Sequence, residues 1–154
     1  VDYTKAKNYA LRRLAMLGQL SSDLKAALLR KQVSPEDIEK IITELTQAGY
    51  LNDQVWIESF IRVQIQKKNG PSVITKKLMQ KGIPAEMAKK AVNKQTKPKD
   101  LSQSVQRLME TKYKNKNLKD FKERQKVVAS LIRKGFSLDT IKSCLNVELE
   151  QEFD

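Results

Sequence analysis

The heptapeptides LLRKQVS (28–34), LMQKGIP (78–84) and LIRKGFS (131–137) spell one pattern three times. Two apolar residues are followed by Arg or Gln, a lysine, Gly or Gln, a further apolar residue, and Ser or Pro. The copies start 50 and 53 residues apart. A period of that size marks a repeat architecture, in which each small unit buries its apolar face against the next. The register extends upstream, because Leu24, Ile74 and Val127 stand four positions before Leu28, Leu78 and Leu131. Apolar residues at i and i+4 lie on one helical stripe.

Around these anchors the chain reads as nine short helices in three trios, an all-α fold, with no sheet expected. Only five glycines and four prolines punctuate 154 residues. In residues 1–50, Ala6, Ala10, Leu14 and Leu17 form the first stripe and Gly18 ends it. Ser21 and Ser22 are placed to cap the second helix, and Ser34 to cap the third, with Pro35 at its first position and acids in its first turn. Gln32 stands where the other copies have Gly82 and Gly135, so its turn is expected to differ. In residues 51–98, Asn52 or Asp53 caps the next helix and Leu51 staples onto Trp56 or Ile57. Trp56, Phe60 and Val63 are expected to lead its buried side, with Ile57 and Ile61 beside them. NKQTKPKD (93–100) reads as a linker. In residues 99–154, Val105, Leu108 and Met109 lie on a helix that fades into KYKNKNLK (112–119). Phe121, Val128, Leu131 and Ile132 line the next helix, Ser137 caps the last, and the tail ELEQEFD is expected to fray.

Composition narrows the chemistry. Histidine is absent, which removes the commonest general acid–base group and neutral metal ligand. One cysteine, Cys144, forms neither an internal disulfide nor a zinc site and is expected to be a small buried hydrophobe. No Gly-rich phosphate loop or calcium loop occurs, and the acids cluster at helix starts, where the macrodipole explains them. No enzyme activity and no cofactor are expected. No apolar run approaches the length of a membrane span, so a soluble, cytoplasmic protein is expected.

Thirty basic residues oppose 18 acidic ones, a formal charge of +12. Such an excess suits a polyanionic partner, nucleic acid first. Residues 51–98 hold most of it, at +7. Arg62, Lys67, Lys68, Lys76, Lys77, Lys81, Lys89 and Lys90, with Lys94, come from three successive helices and are the candidate DNA contacts. The alternative is that they solvate separate faces. Aromatics are few and fall on buried stripes, so contact with phosphates should dominate over base stacking. Tyr50, Asp53 and Tyr113 are the candidate partner contacts. Tyr50 and Trp56 lie in a staple and a stripe that favour the core, whereas Tyr113, among lysines, reads as the more exposed aromatic.

The segment GYLNDQVWIESFIRVQIQKKNGPSVITKKLMQKGI (49–83) resembles the central signature of RecX-type regulatory proteins. That signature has a Gly-Tyr-Leu-Asn/Asp-Asp start, an aromatic a few residues on, a basic stretch to a glycine, and a Leu-x-x-Lys-Gly-Ile close. YALRRLAMLGQLSSDLKAALLRK (9–31) and LIRKGFSLDTIKSCL (131–145) resemble that family's entry and exit segments. The resemblance implies tandem three-helix units in an elongated, curved array, in a bacterial cytoplasmic monomer. It implies binding to the RecA recombinase and its filament on DNA, single-stranded most of all. It also implies inhibition of strand exchange, ATP hydrolysis and co-protease activity, without a reaction of its own. Some relatives carry a further N-terminal region, and the Val1 start leaves room for one. Two other functions fit the residues alone: a nucleic-acid-binding module whose trios dock like helix-turn-helix domains, and a helical adaptor for an acidic protein.

Overall fold

A computed structural model describes residues 2–145, apart from the side chain of Leu17. The stretch 146–154, where fraying was expected, lies outside the described residues. Those residues form helices and turns without strands: α1 (Tyr3–Leu17), α2 (Ser21–Arg30), α3 (Pro35–Gln47), α4 (Asp53–Gln66), α5 (Pro71–Gln80), α6 (Ala85–Gln95), α7 (Pro98–Glu110), α8 (Phe121–Arg133) and α9 (Leu138–Leu145). None is long and apolar enough to cross a membrane. Two compact units result, 1–59 and 60–154, and the division falls within α4.

The threefold echo encodes one local structure. Leu24 and Leu28, Ile74 and Leu78, Val127 and Leu131 are all buried, as an i, i+4 stripe requires. After the stripe, α2, α5 and α8 end identically. The Val33, Ile83 and Phe136 amides donate to the Leu28, Leu78 and Leu131 carbonyls at 3.1, 3.1 and 3.2 Å. The Gln32, Gly82 and Gly135 amides donate to Leu29, Met79 and Ile132 at 2.9, 3.0 and 2.9 Å. This is the Schellman motif, and the apolar residue after the glycine position returns toward the helix. Gln32 does not alter the turn as expected: it takes φ 63, in the same left-handed region as Gly82 (φ 92) and Gly135 (φ 104). An L residue pays about 1 kcal/mol for that conformation. The same motif closes α4, where Lys68, at φ 62, occupies the glycine position.

Helix starts follow the sequence in part. Ser34 Oγ accepts from the Asp37 amide and Ser137 Oγ from the Thr140 amide, both at 3.2 Å. Asn52 Oδ1 caps α4 by accepting from Val55 N at 3.2 Å. The serines of α2 do not cap it. Leu20 holds the N-cap position, buried, and the Asp53 carboxylate instead accepts from the Ser21 amide at 2.7 Å and its hydroxyl at 2.5 Å. The expected linker 93–100 is mostly helical. α6 runs to Gln95 and Pro98 opens α7, leaving Thr96 and Lys97 between them, with Thr96 buried and its hydroxyl donating to the Val92 carbonyl.

In the first unit, Ala6 and Ala10 of α1 pack with Leu24, Leu28, Val33, Ile38, Ile41, Ile42, Leu45 and Leu51. In the second, Val105 and Leu108 of α7 pack with Val127, Val128, Leu131, Phe136, Ile141 and Leu145. Cys144 joins that core half-buried. Phe121 and Ile132, expected inside, are exposed, because α8 turns its 127/128/131 face inward. On α4, too, the buried stripe is Ile57, Ile61 and Gln64, one position on from the expected Trp56, Phe60 and Val63; Val63 is exposed and the two aromatics are half-buried. Burial of Gln64 is tolerated because its Oε1 accepts from Asn69 Nδ2 at 2.7 Å.

Candidate nucleic-acid interface

Charge divides with the units. Residues 1–59 hold 8 basic and 8 acidic residues, and residues 60–154 hold 22 and 10, so the whole excess of +12 belongs to the second unit.

In the first unit the cations are largely engaged. Lys7 pairs with Glu44 at 2.8 Å and Lys25 with Glu39 at 3.2 Å. Arg13 donates to Gln19 Oε1 at 3.0 Å and to the Tyr9 hydroxyl at 3.3 Å. Lys40 sits over the Tyr3 ring and Lys31 over the Tyr9 ring, at 4.9 and 5.4 Å from the centroids. The Lys7 ammonium first, and then the nearby Tyr3 phenol, hold the Glu44 carboxyl below the usual carboxylate range. The neighbouring Glu44 carboxylate in turn pushes the Tyr3 phenol up to about 12.

The candidate DNA contacts of the second unit are exposed, except Lys68, which is half-buried. Among the described residues none of Arg62, Lys67, Lys68, Lys76, Lys77, Lys81, Lys89 and Lys90 makes an ion pair. Lys77 and Lys81 share a shallow cleft with Phe60, Gln64 and Gln80. Lys76 lies on α5 beside them in sequence, and Lys89, Lys90 and Lys94 lie on α6, which packs on α5. Lys68 belongs elsewhere: it lines a cleft against α7 with Asp100, Gln103, Ser104 and Arg107.

That second cleft brings in residues that sequence periodicity did not single out. The Gly70 amide donates to the Lys134 carbonyl at 2.6 Å, and the Ser72 amide and hydroxyl donate to the Gly135 carbonyl at 3.1 and 3.2 Å. The backbones meet so closely that a Cβ on Gly70 would stand 2.3 Å from the Gly135 carbonyl carbon. The Lys134 ammonium is held below the usual lysine range, first by partial burial and then by the charges of Lys112 and Lys68. The visible signal in sequence was a glycine at each of the two turns, which permits such an approach without announcing it.

The candidate partner residues separate. Tyr50, expected inside, is 65% exposed. Asp53 is engaged by Ser21, as described above. Tyr113, expected to be the more exposed aromatic, is only 5% exposed. Its amide bonds to the Leu108 carbonyl after α7, which carries the ring under the loop, and its hydroxyl meets Ser130 Oγ at 2.5 Å.

Two family models match this chain: the second three-helix domain of RecX over residues 52–92 and the third over residues 100–145. Among curated proteins, "Regulatory protein RecX" of Bacillus cytotoxicus is 30% identical over 99% of this chain and 57% of its own length. The protein of that name from Streptococcus uberis is 30% identical over 98% of this chain and 59% of its own. The chain thus spans well under two thirds of these relatives. The crystal structure of RecX from Lactobacillus salivarius superposes with a TM-score of 0.82 at 27% identity, covering 97% of both chains. Turns repeated after α2, α5 and α8, nine described helices and these matches agree: the chain belongs to the RecX family.

Proposed function

We propose that this chain is a non-enzymatic regulator that binds a RecA-type recombinase on DNA and inhibits its ATP hydrolysis, strand exchange and co-protease activity. The observation that carries this is the segregation of charge: the whole +12 lies in residues 60–154, where Arg62, Lys67, Lys68, Lys76, Lys77, Lys81, Lys89 and Lys90 have no ion-pair partner among the described residues. Such a surface draws in a polyanion and gains by releasing its counterions. The first unit is net neutral and exposes Met16, Leu29, Tyr50 and Val55, a composition that supports contact with protein. One molecule with both kinds of surface engages DNA and recombinase subunits together, and many weak contacts linked in one chain add up. Inhibition then follows from occupancy of the filament.

The test is the DNA-dependent ATPase of a RecA-type recombinase with this protein added. The rate is expected to fall with dose. An unchanged rate and an undisturbed filament, with DNA binding intact, would leave a stand-alone, sequence-independent nucleic-acid-binding module in place of the regulator.

A further inference from the structure

Lys68 occupies a position that goes to glycine after α3, α5 and α8 and to Gln32 after α2. Gly49, Gly82 and Gly135 take the left-handed residue after α3, α5 and α8, and Lys68 takes it after α4 at φ 62. A lysine kept in that conformation points to a use for its side chain. On one side Lys68 shares a cleft with Arg107, Ser104 and Gln103, which supply N–H and O–H donors, and with the carboxylate of Asp100. On the other side it lies near Lys134, which also feels Lys112 and is partly desolvated. The arrangement is fixed by main chain: Gly70 N to Lys134 O at 2.6 Å and Ser72 N to Gly135 O at 3.1 Å tie the Lys68 turn to the Lys134 turn. Among the described residues no carboxylate pairs with Lys68, Arg107, Lys112 or Lys134.

Like charges drawn together on a rigid frame are unfavourable until an anion arrives, so the frame is preorganised for one. We propose that Lys68, Arg107 and Lys134 form a nucleic-acid phosphate-binding site, gripping the phosphodiester backbone between the α4–α5 turn and α7. The cleft offers the planar Arg107 guanidinium and the Lys68 ammonium with no aromatic side chain in its lining, which suits phosphates rather than bases. The site rests on the proposal that the second unit binds nucleic acid, and it adds to the α5 lysines an anchor built partly from residues 107–134.

Lys68→Gly separates charge from folding, since glycine relieves the left-handed turn. With the full chain and labelled oligothymidylate, anisotropy should show Lys68→Gly and Lys134→Gln each binding about fivefold more weakly, with a log–log salt slope shallower by about 0.7 apiece. In urea, Lys68→Gly should be at least as stable as the parent. A parent that binds oligothymidylate while both variants keep its affinity and slope overturns this site but spares the wider proposal. Equal competition by polyglutamate would overturn it in favour of an acidic protein segment. A parent that binds no nucleic acid fails both; inorganic triphosphate shifting the Gly70, Arg107 and Lys134 amides would then leave an anion site of another kind.

Discussion

The two compact units share a turn and part company over charge. The Schellman turn after α2 in the first unit has the same two hydrogen bonds as those after α5 and α8 in the second. Yet the first unit is electrically neutral and engages five of its eight cations in ion pairs, hydrogen bonds or ring contacts, while the second carries all of the excess and leaves its candidate contacts without ion pairs among the described residues. The repeat therefore specifies backbone and core, and leaves the outer surface free to diverge. That is what tandem units allow, because each needs only its buried face to stack.

The turns also differ in what surrounds them, and the largest expected effect comes from there. A Cβ on Gly135 would meet Val73 N at 2.7 Å, and its φ is +104, whereas a Cβ on Gly82 has open space at φ +92. Gly135→Ala is expected to cost about 4 kcal/mol, overpacking added to left-handed strain, and Gly82→Ala about 1 kcal/mol, strain alone. Urea unfolding of the full chain measures both. Equal costs would mean that the Gly70–Gly135 approach yields easily, and the turn would then be one structure in one environment.

Charge gives the next test. Lys76, Lys77 and Lys81 in the second unit and Lys5, Arg12 and Arg30 in the first are all exposed. Reversing either set to Glu changes the net charge equally. The second-unit set is expected to weaken single-strand binding about a hundredfold, near 3 kcal/mol, and to flatten the salt slope by about 2. The first-unit set should alter affinity less than tenfold. If both sets act alike, binding reads net charge only and the two units are not functionally distinct.

Sequence made the repeat, the helix count among the described residues, and the Ser34 and Ser137 caps legible, since all depend on spacing within one turn or one helix. What it hid depended on distant residues. On α4 the stripes 56/60/63 and 57/61/64 differ by one position, and neighbouring helices, not periodicity, select the second. The Asp53 cap on α2 links positions 32 apart, and no local pattern reports it. Tyr113 sits among lysines yet is carried inward by the turn after α7. The basic residues of 51–98 were legible as a set; that Lys68 turns to a cleft with Arg107, on a turn tied to that of Lys134, was not, because the cleft joins distant helices and two glycines 65 positions apart let the two turns meet.

A smaller effect probes the shared turn directly. Gln32→Gly restores in the first unit the residue that α5 and α8 use, and the Cβ it removes is strained at φ 63. It is expected to stabilise the protein by about 0.5–1 kcal/mol in urea, with nucleic-acid affinity unchanged. Beside it, Lys68→Gly should bring similar stability and lose affinity. If Gln32→Gly destabilises, the glutamine side chain makes a contribution that outweighs its backbone strain.

The smallest effect concerns how the first unit becomes neutral. Glu44 has a folded pKa below its ordinary value because Lys7, and then Tyr3, stand beside it. A depressed carboxylate contributes stability that is present above its unfolded pKa and lost as pH falls through its folded one. Tyr3 runs the other way: raised to about 12, its contribution is complete below pH 10 and is lost as pH rises through about 12. Lys7→Met removes the leading influence, so the Glu44 midpoint, followed by NMR of its carboxyl carbon, should move up toward the ordinary carboxylate range, without reaching it while Tyr3 remains beside it. A midpoint that does not move would show that Lys7 and Glu44 neutralise each other only in the charge count. The first unit would then differ from the second in composition alone, and the pairing that makes it a poor polyanion surface would have to be sought at Lys25 and Glu39.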